Sequence, residues 1–299
     1  MIIPEKLNLG DKIGIIAPAR KISFEELKPS IEIFESWGLV VVLGKFLFEE
    51  DNQFSGSLKQ RLIDLQNMIN DDSISAIVCA RGGYGTVQLI EKIDFSKLYN
   101  YHKWIIGYSD ITVLHSHLNQ LGLATLHATM PINFSKNTIQ SLESLKYAIF
   151  GIESCIKIPP HELNRFGKVE AEIVGGNLSV LYSLLGSKSD IDTDGRILFL
   201  EDLDEYLYHV DRMLINIKRN GKFSNLKGMI IGTMCDMNDN NIPFGKTPQE
   251  IILEHIEEYD FPICFGFPSG HLNDNRSIKL GVNSLLEINE NGVNLSQFL

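Results

Sequence analysis

The chain has 299 residues, of which 44% are hydrophobic, and it carries a formal net charge of −11. These are ordinary globular values, so they exclude disordered, collagen-like and coiled-coil classes. The acidic balance argues against a nucleic-acid-binding protein, because such a protein normally carries a basic stripe.

The first half of the chain alternates short apolar runs with helical patterns. The predicted strands are 12–17, 39–43, 74–80, 104–108 and 123–126, and the predicted helices are 23–37, 58–69 and 110–121. Short apolar runs that alternate with helices are typical of a parallel sheet covered on both faces.

The alternating pattern lapses between about 148 and 167, where Pro159 and Pro160 cannot continue a helix. We therefore predict a first domain over 1–150, a linker over 151–167 and a second domain over 168–299. In the second half, strands are predicted at 169–174, 197–200, 228–232, 263–267, 278–280 and 284–288, with helices at 177–185, 203–217 and 248–257. The predicted fold is a two-domain α/β protein, with an N-terminal parallel-sheet domain and a C-terminal α/β domain.

The cysteine pattern and the apolar runs indicate the compartment. None of the four cysteines is spaced as CxxC, so a zinc site or a disulfide framework is not expected. The N-terminus has no basic segment followed by a long apolar run, and no window approaches about 18 apolar residues. We expect a soluble cytoplasmic protein that has no membrane partner.

Ser109 carries the sharpest functional signal, because ligands of parallel sheets bind beyond the carboxyl ends of the strands. It stands between an apolar strand and a helix, where a turn can expose its hydroxyl above the helix N-terminus. Serine is also a preferred N-cap, and Ile111 occupies the place where a hydrolase elbow carries glycine. The turn alone therefore leaves a catalytic and a capping role open.

Two further candidates follow strands of the second half. Glu201 is the first residue after a predicted strand, and His271 lies in a glycine-flanked loop after another. Acidic residues before a helix also complement its dipole, so Glu201 has a structural alternative. The order Ser109, Glu201, His271 allows a serine nucleophile, an orienting carboxylate and a histidine base.

Short motifs in a fixed order are more specific than any single residue. They are Gly10-Asp11, Ala17-Pro18, the segments 80–85 and 107–110, Gly175-Gly176-Asn177-Leu178, Leu200-Glu201-Asp202, and the segment 266–271. In these motifs the chain resembles the muramoyltetrapeptide LD-carboxypeptidases, a serine peptidase family that also includes microcin C self-immunity proteins. The resemblance spans nearly the whole chain.

The resemblance implies the roles of particular residues. The nucleophile, acid and base motifs of the family fall on Ser109, Glu201 and His271. The oxyanion donors would be the backbone amides of Asp110 and Gly83. The active site would then lie at the domain interface, and no metal or organic cofactor is expected.

The resemblance also implies the reaction, which is hydrolysis of an L,D-amide bond that releases terminal D-alanine from muropeptide tetrapeptides in cell-wall recycling. Homodimerisation is a further expectation from the family. Two alternatives stay open. One is an immunity-type hydrolase that cleaves a toxic aminoacyl-nucleotide amide, and the other is a non-catalytic peptide-binding protein.

A carboxypeptidase must bind the free carboxylate of its substrate, and in an acidic protein a local cation has to offset the repulsion. Arg81, directly after the third strand, is the nearest candidate in the sequence, although an ion pair between the domains is an alternative role. Asn177 is the second candidate for substrate binding.

Overall fold

The computed structural model describes residues 1–298, which form two β-sheets with seven α-helices packed against them. The first part of the chain contains β1 (Lys12–Ile16), α1 (Phe24–Ser36), β2 (Val40–Leu43), α2 (Leu58–Asn70), β3 (Ile74–Cys79), β4 (Trp104–Gly107), α3 (Thr112–Gln120), β5 (Thr125–His127) and α4 (Ile139–Phe150). The second part contains β6 (Cys155–Ile158), β7 (Gly167–Asn177), α5 (Leu178–Leu184), β8 (Ile197–Leu203), α6 (Leu207–Arg219), β9 (Gly228–Cys235), α7 (Pro248–His255), β10 (Ile263–Cys264), β11 (Ile278–Leu280), β12 (Asn283–Asn289) and β13 (Gly292–Gln297).

The first sheet has the strand order β11-β5-β4-β3-β1-β2. Strands β1 to β5 are parallel, as the sequence predicts, and their carboxyl ends meet at one edge. Strand β11 runs antiparallel to β5, with Ile278 opposite His127. Because β11 comes from the C-terminal part of the chain, the two halves share this sheet.

The second sheet has the order β10-β9-β8-β7-β12-β13-β6. Strands β7 to β10 are parallel, and β12, β13 and β6 add an antiparallel edge. Strand β6 lies inside the segment 151–167 that the sequence predicts as a linker, and its Ile156 pairs with Leu295 of β13. Residues 155–158 of this segment thus form an edge strand, which the two prolines after Ile158 bring to an end.

Local sequence explains where the first helices begin. Ser23 caps α1, with its Oγ accepting from Glu26 N while Glu26 Oε2 accepts from Ser23 N. Ser57 and Gln60 form the same capping box at α2. Such caps stabilise a helix by about 1 kcal/mol each.

The two halves pack closely where β7 meets α3. The backbone N–H of Asn177 donates to Thr112 Oγ1 over 3.0 Å, and Ser116 Oγ donates to Ser189 O over 2.5 Å. Gly176 has φ +142°, and a Cβ there would lie 2.5 Å from Thr112 Oγ1. Glycine at 176 therefore lets the end of β7 approach the first turn of α3, directly after Ser109.

No helix within residues 1–298 is long and apolar enough to cross a membrane.

Candidate active site

Ser109 occupies a strained turn between β4 and α3. Its φ is +62°, a conformation that costs a non-glycine residue about 1–2 kcal/mol. Neighbouring small residues make room for the turn, since a Cβ at Gly107 would lie 2.9 Å from Ile111 Cγ1 and one at Gly82 would lie 3.2 Å from Ser109 Cβ. Backbone strain of this kind clusters at active sites.

The capping role that the sequence left open for Ser109 is not formed. Ser109 starts a short 3₁₀ turn, Ser109–Ile111, and neither this turn nor α3 has a side-chain cap hydrogen bond. Ser109 itself is half-buried. Its hydroxyl is therefore not committed to the helix terminus.

Glu201 and His271 form a close pair in the second half. His271 Nδ1 lies 2.7 Å from Glu201 Oε2, and the Glu201 side chain is fully buried. Glu201 Oε1 has no hydrogen-bond partner among residues 1–298, so the hydrogen bond to the imidazole is the one that this carboxylate makes in that part of the chain. A neutral histidine held in this way has a proton on Nδ1 and a basic Nε2.

The position of Glu201 differs from the predicted one. The sequence places Glu201 after a strand that ends at Leu200, and this is wrong because β8 continues to Leu203. The register of β8 against β9 shifts between Leu200 and Asp202, so Glu201 lies at a bulge. Bulges are often found next to active sites, where they redirect a side chain.

Gly270 makes the room that the Glu201–His271 pair needs. Its φ is +119°, and a Cβ there would lie 2.5 Å from Thr233 Oγ1 and 2.7 Å from Glu201 Oε2. Thr233 Oγ1 in turn accepts from the backbone N–H of His271 over 3.0 Å. A side chain at 270 would thus displace both anchors of His271.

We expect Gly270→Ala to lower kcat/KM at least about tenfold and to destabilise the fold by about 1–3 kcal/mol, the usual cost of backbone strain. Gly10→Ala is the matched control, because Gly10 also has positive φ, +90°, but no atom lies within 4 Å of its Cβ position. Urea unfolding and steady-state kinetics should show a loss of stability in both variants and a loss of activity only in Gly270→Ala. Equal activities of the two variants would contradict the positioning role.

His271 also contacts the turn that carries Ser109. Its ring centroid lies 4.8 Å from that of Tyr108, the residue before Ser109, and Asn133 Nδ2 donates to Tyr108 Oη over 2.6 Å. The two rings are tilted by 60° to each other, and their contact brings the histidine of the second half onto the serine turn of the first. Among residues 1–298, Ser109 Oγ makes no hydrogen bond within 3.5 Å, and in free enzymes the nucleophile–base bond commonly tightens only when substrate binds.

Buried carboxylates set the electrostatics of the histidine. Burial alone would lower the pKa of His271, but the charge and hydrogen bond of Glu201 and the charge of Asp202 outweigh it, so that pKa is raised. Burial, followed by the charge of Glu201, raises the pKa of Asp202 to about 7. The positive imidazolium is therefore stabilised at this site.

The glycine turn after β3 lies beside the serine turn. The Asp110 carboxylate is buried and accepts from Thr86 N over 2.9 Å, which ties the two turns together. Burial raises the pKa of Asp110. Within residues 1–298, neither Gly83 N nor Asp110 N donates a hydrogen bond, so both amides are available to an oxyanion.

The two predicted substrate-binding residues have different surroundings. Asn177 is buried and caps α5, with its Oδ1 accepting from Val180 N and its Nδ2 donating to Asp202 Oδ1 over 2.8 Å. These bonds position Asp202, and contact of Asn177 with a substrate stays a prediction. Arg81 is half-buried and donates to Lys21 O over 3.2 Å.

The ion pair between domains that the sequence left open for Arg81 is not formed within residues 1–298. No three His, Cys, Asp or Glu side chains in that part of the chain lie together so that they could hold a metal ion.

A strained serine turn and a carboxylate-bound histidine on an α/β fold define a class of serine hydrolases. The family comparison is more specific: the model of the LD-carboxypeptidase N-terminal domain matches residues 13–128, and that of the C-terminal domain matches residues 170–286. The chain belongs to the LD-carboxypeptidase family and is a serine-type carboxypeptidase.

Curated relatives agree with this assignment. The chain is 35% identical to a probable murein peptide carboxypeptidase of Bacillus subtilis, over 96% of this chain and 92% of the relative. It is 28% identical to the murein tetrapeptide carboxypeptidase of Pseudomonas aeruginosa, over 93% of this chain and 94% of the relative. Similarity to the microcin C7 self-immunity protein MccF of Escherichia coli is lower, at 23% identity over 99% and 96% of the two chains.

Solved structures share the fold. The muramoyltetrapeptide carboxypeptidase of Oxalobacter formigenes superposes with a TM-score of 0.88 at 24% identity, covering 96% of this chain and 99% of that one. Wild-type MccF without ligand superposes with a TM-score of 0.87 at 23% identity, covering 100% and 99%.

Proposed function

We propose that Ser109, Glu201 and His271 form the catalytic triad of this carboxypeptidase, at the junction of the two halves. The observation that carries the proposal is the 2.7 Å bond between His271 Nδ1 and Glu201 Oε2, on a histidine whose ring contacts that of Tyr108, the neighbour of Ser109. This arrangement leaves Nε2 to accept the proton of Ser109 Oγ.

The triad would hydrolyse an amide in two stages. In the first, a bond forms between Ser109 Oγ and the carbonyl carbon while the Oγ proton moves to His271 Nε2. The amides of Asp110 and Gly83 stabilise the oxyanion. The C–N bond then breaks, and His271 gives its proton to the leaving amine. Water, activated by the same histidine, releases the acyl group from Ser109 in the second stage.

The proposed substrate is a muropeptide tetrapeptide, and the proposed leaving group is its terminal D-alanine. The support comes from the family and from relatives named murein peptide and murein tetrapeptide carboxypeptidases, which align over nearly the whole chain. The reaction would serve cell-wall recycling. We further propose a cytoplasmic location and a homodimer, both of which rest on the resemblance to the family.

A second candidate is hydrolysis of an aminoacyl-nucleotide amide. Alignment with MccF over 99% of this chain favours it, since the same triad could cleave either amide. The lower identity to MccF, 23% against 35% for the murein peptide carboxypeptidase, places it second. A binding protein without activity is disfavoured because all three triad side chains are present.

Mass spectrometry of a muropeptide tetrapeptide incubated with the protein tests the first candidate. We expect the loss of one alanine, because the triad cleaves the bond before the terminal residue. A parallel incubation with aspartyl sulfamoyl adenosine tests the second. Cleavage of that compound with an unchanged tetrapeptide would reverse the ranking, and cleavage of neither would favour the binding protein.

A further inference from the structure

The terminal carboxylate of the proposed substrate needs a partner close to Ser109. Three covalent bonds join the scissile carbonyl carbon to the terminal carboxyl carbon, so the two atoms are at most about 4 Å apart. The protein carries a net charge of −11, which repels an anionic substrate unless a local cation offsets it.

Most cations around the serine turn already have acceptors. The pairs are Lys21 Nζ with Glu50 Oε2 at 2.6 Å, Arg276 Nη2 with Asp274 Oδ2 at 3.0 Å, Arg61 Nη1 with Pro18 O at 2.8 Å, and Arg81 Nη1 with Lys21 O at 3.2 Å. Arg61 is also buried, and its second terminal nitrogen, Nη2, donates to Gln88 Oε1. Arg81 is half-buried, and its hydrogen bond to Lys21 O holds the guanidinium against the first half of the chain.

Arg20 differs from these residues. It is exposed, and among residues 1–298 its guanidinium makes no hydrogen bond and no ion pair. Arg20 follows β1 and lies at the same sheet edge as Ser109. Its backbone N–H donates to Gly82 O, in the glycine turn at that edge. All five guanidinium donors are therefore available to a ligand.

Contacts with the glycine turn place Arg20 beside the oxyanion donors. The Arg20 side chain crosses the face of Gly83, where a Cβ would lie 2.5 Å from its Cδ and 2.7 Å from its Nε. Gly82, the preceding residue, lies against Ser109, because a Cβ there would lie 3.2 Å from Ser109 Cβ. Gly83 has φ +108°, so glycine supplies both the turn and the surface on which Arg20 rests.

We propose that Arg20 binds the free terminal carboxylate of the substrate, and this inference rests on the proposed function. The planar guanidinium forms two parallel hydrogen bonds with a carboxylate, which a single ammonium cannot reproduce. Arg20 thereby selects a terminal residue over an internal one, because an internal amide offers no negative charge to it.

The test compares a tetrapeptide that has a free terminal carboxylate with the same peptide amidated at that end. We expect wild type to prefer the free acid. Arg20→Met should lower kcat/KM for the acid by about 10- to 100-fold, mainly through KM, the range for loss of a charge-assisted bond. It should leave kcat/KM for the amide unchanged. Arg20→Lys should recover part of the loss, and Arg81→Met, which tests the other candidate for the carboxylate, should keep the preference.

Each other outcome overturns the assignment. Equal losses on acid and amide would make Arg20 a structural residue of the glycine turn. A lost preference in Arg81→Met, with Arg20→Met unaffected, would assign the carboxylate to Arg81. An active wild type whose preference survives in Arg20→Met refutes only the role of Arg20. A wild type that cleaves neither peptide refutes the proposed function as well.

Discussion

Ser109→Ala is expected to lower kcat by about 10⁴-fold or more while the fold stays intact. Alanine keeps the Cβ but removes the oxygen that forms the covalent bond, so only oxyanion stabilisation and binding would remain. Alanine also accepts the backbone less well than glycine at φ +62°, just as serine does, so the strain of the turn is nearly unchanged. Steady-state kinetics on the tetrapeptide and a urea unfolding curve measure the two effects.

Ser183→Ala is the control for Ser109→Ala. Ser183 is exposed on α5, and its Oγ donates to Val180 O of the same helix, so this variant should keep wild-type turnover. Tetrapeptide should still bind to Ser109→Ala, because the proposed carboxylate and oxyanion donors are intact. Near-normal turnover in Ser109→Ala would refute the assignment of the nucleophile.

The sheet core could be predicted because its strands are continuous apolar runs. β3, with the sequence ISAIVC, is buried along nearly all its length, and only a strand between two helical layers needs that pattern. The antiparallel edge strands were harder to predict from the sequence. β6 has alternating exposure at a sheet edge, and β13 contains polar residues, so neither has an apolar run. The return of β11 to the first sheet is a long-range pairing for which the local sequence carries no signal.

The sequence predicts those site residues that follow apolar strands, because their residue types and positions are both visible in it. Ser109 and His271 follow apolar strands, and the structure places them on contacting segments. The bulge at Glu201 was missed because register depends on the partner strand β9. Thr233, which holds the His271 backbone, and Arg20, which rests on Gly83, were missed because their roles depend on contacts between distant segments.

The pH dependence of the enzyme should follow the raised pKa of His271. A general base must be neutral, so kcat/KM is expected to fall as the pH drops through that pKa, above the ordinary histidine value of about 6.5. Glu201→Gln removes the charge that raises the pKa but keeps an oxygen that can accept the Nδ1 proton. Burial then dominates and lowers the pKa of His271, which moves the acidic limb of the profile to lower pH.

The maximum rate of Glu201→Gln should nevertheless fall by at least about 100-fold, because the imidazolium that forms in the transition state loses its countercharge. The variant should therefore be slower at every pH but retain a larger fraction of its own maximum in acid.

Asp202→Asn is the matched control, since Asp202 also raises the pKa of His271 but makes no bond to it. The charge of Asp202 raises the pKa of His271 less than the charge and hydrogen bond of Glu201 do, so its removal should shift that limb less. Profiles of kcat/KM from pH 5 to pH 9 for the three proteins measure these shifts. A crippling loss in Asp202→Asn beside a mild one in Glu201→Gln would show that Asp202 is the carboxylate that supports the base.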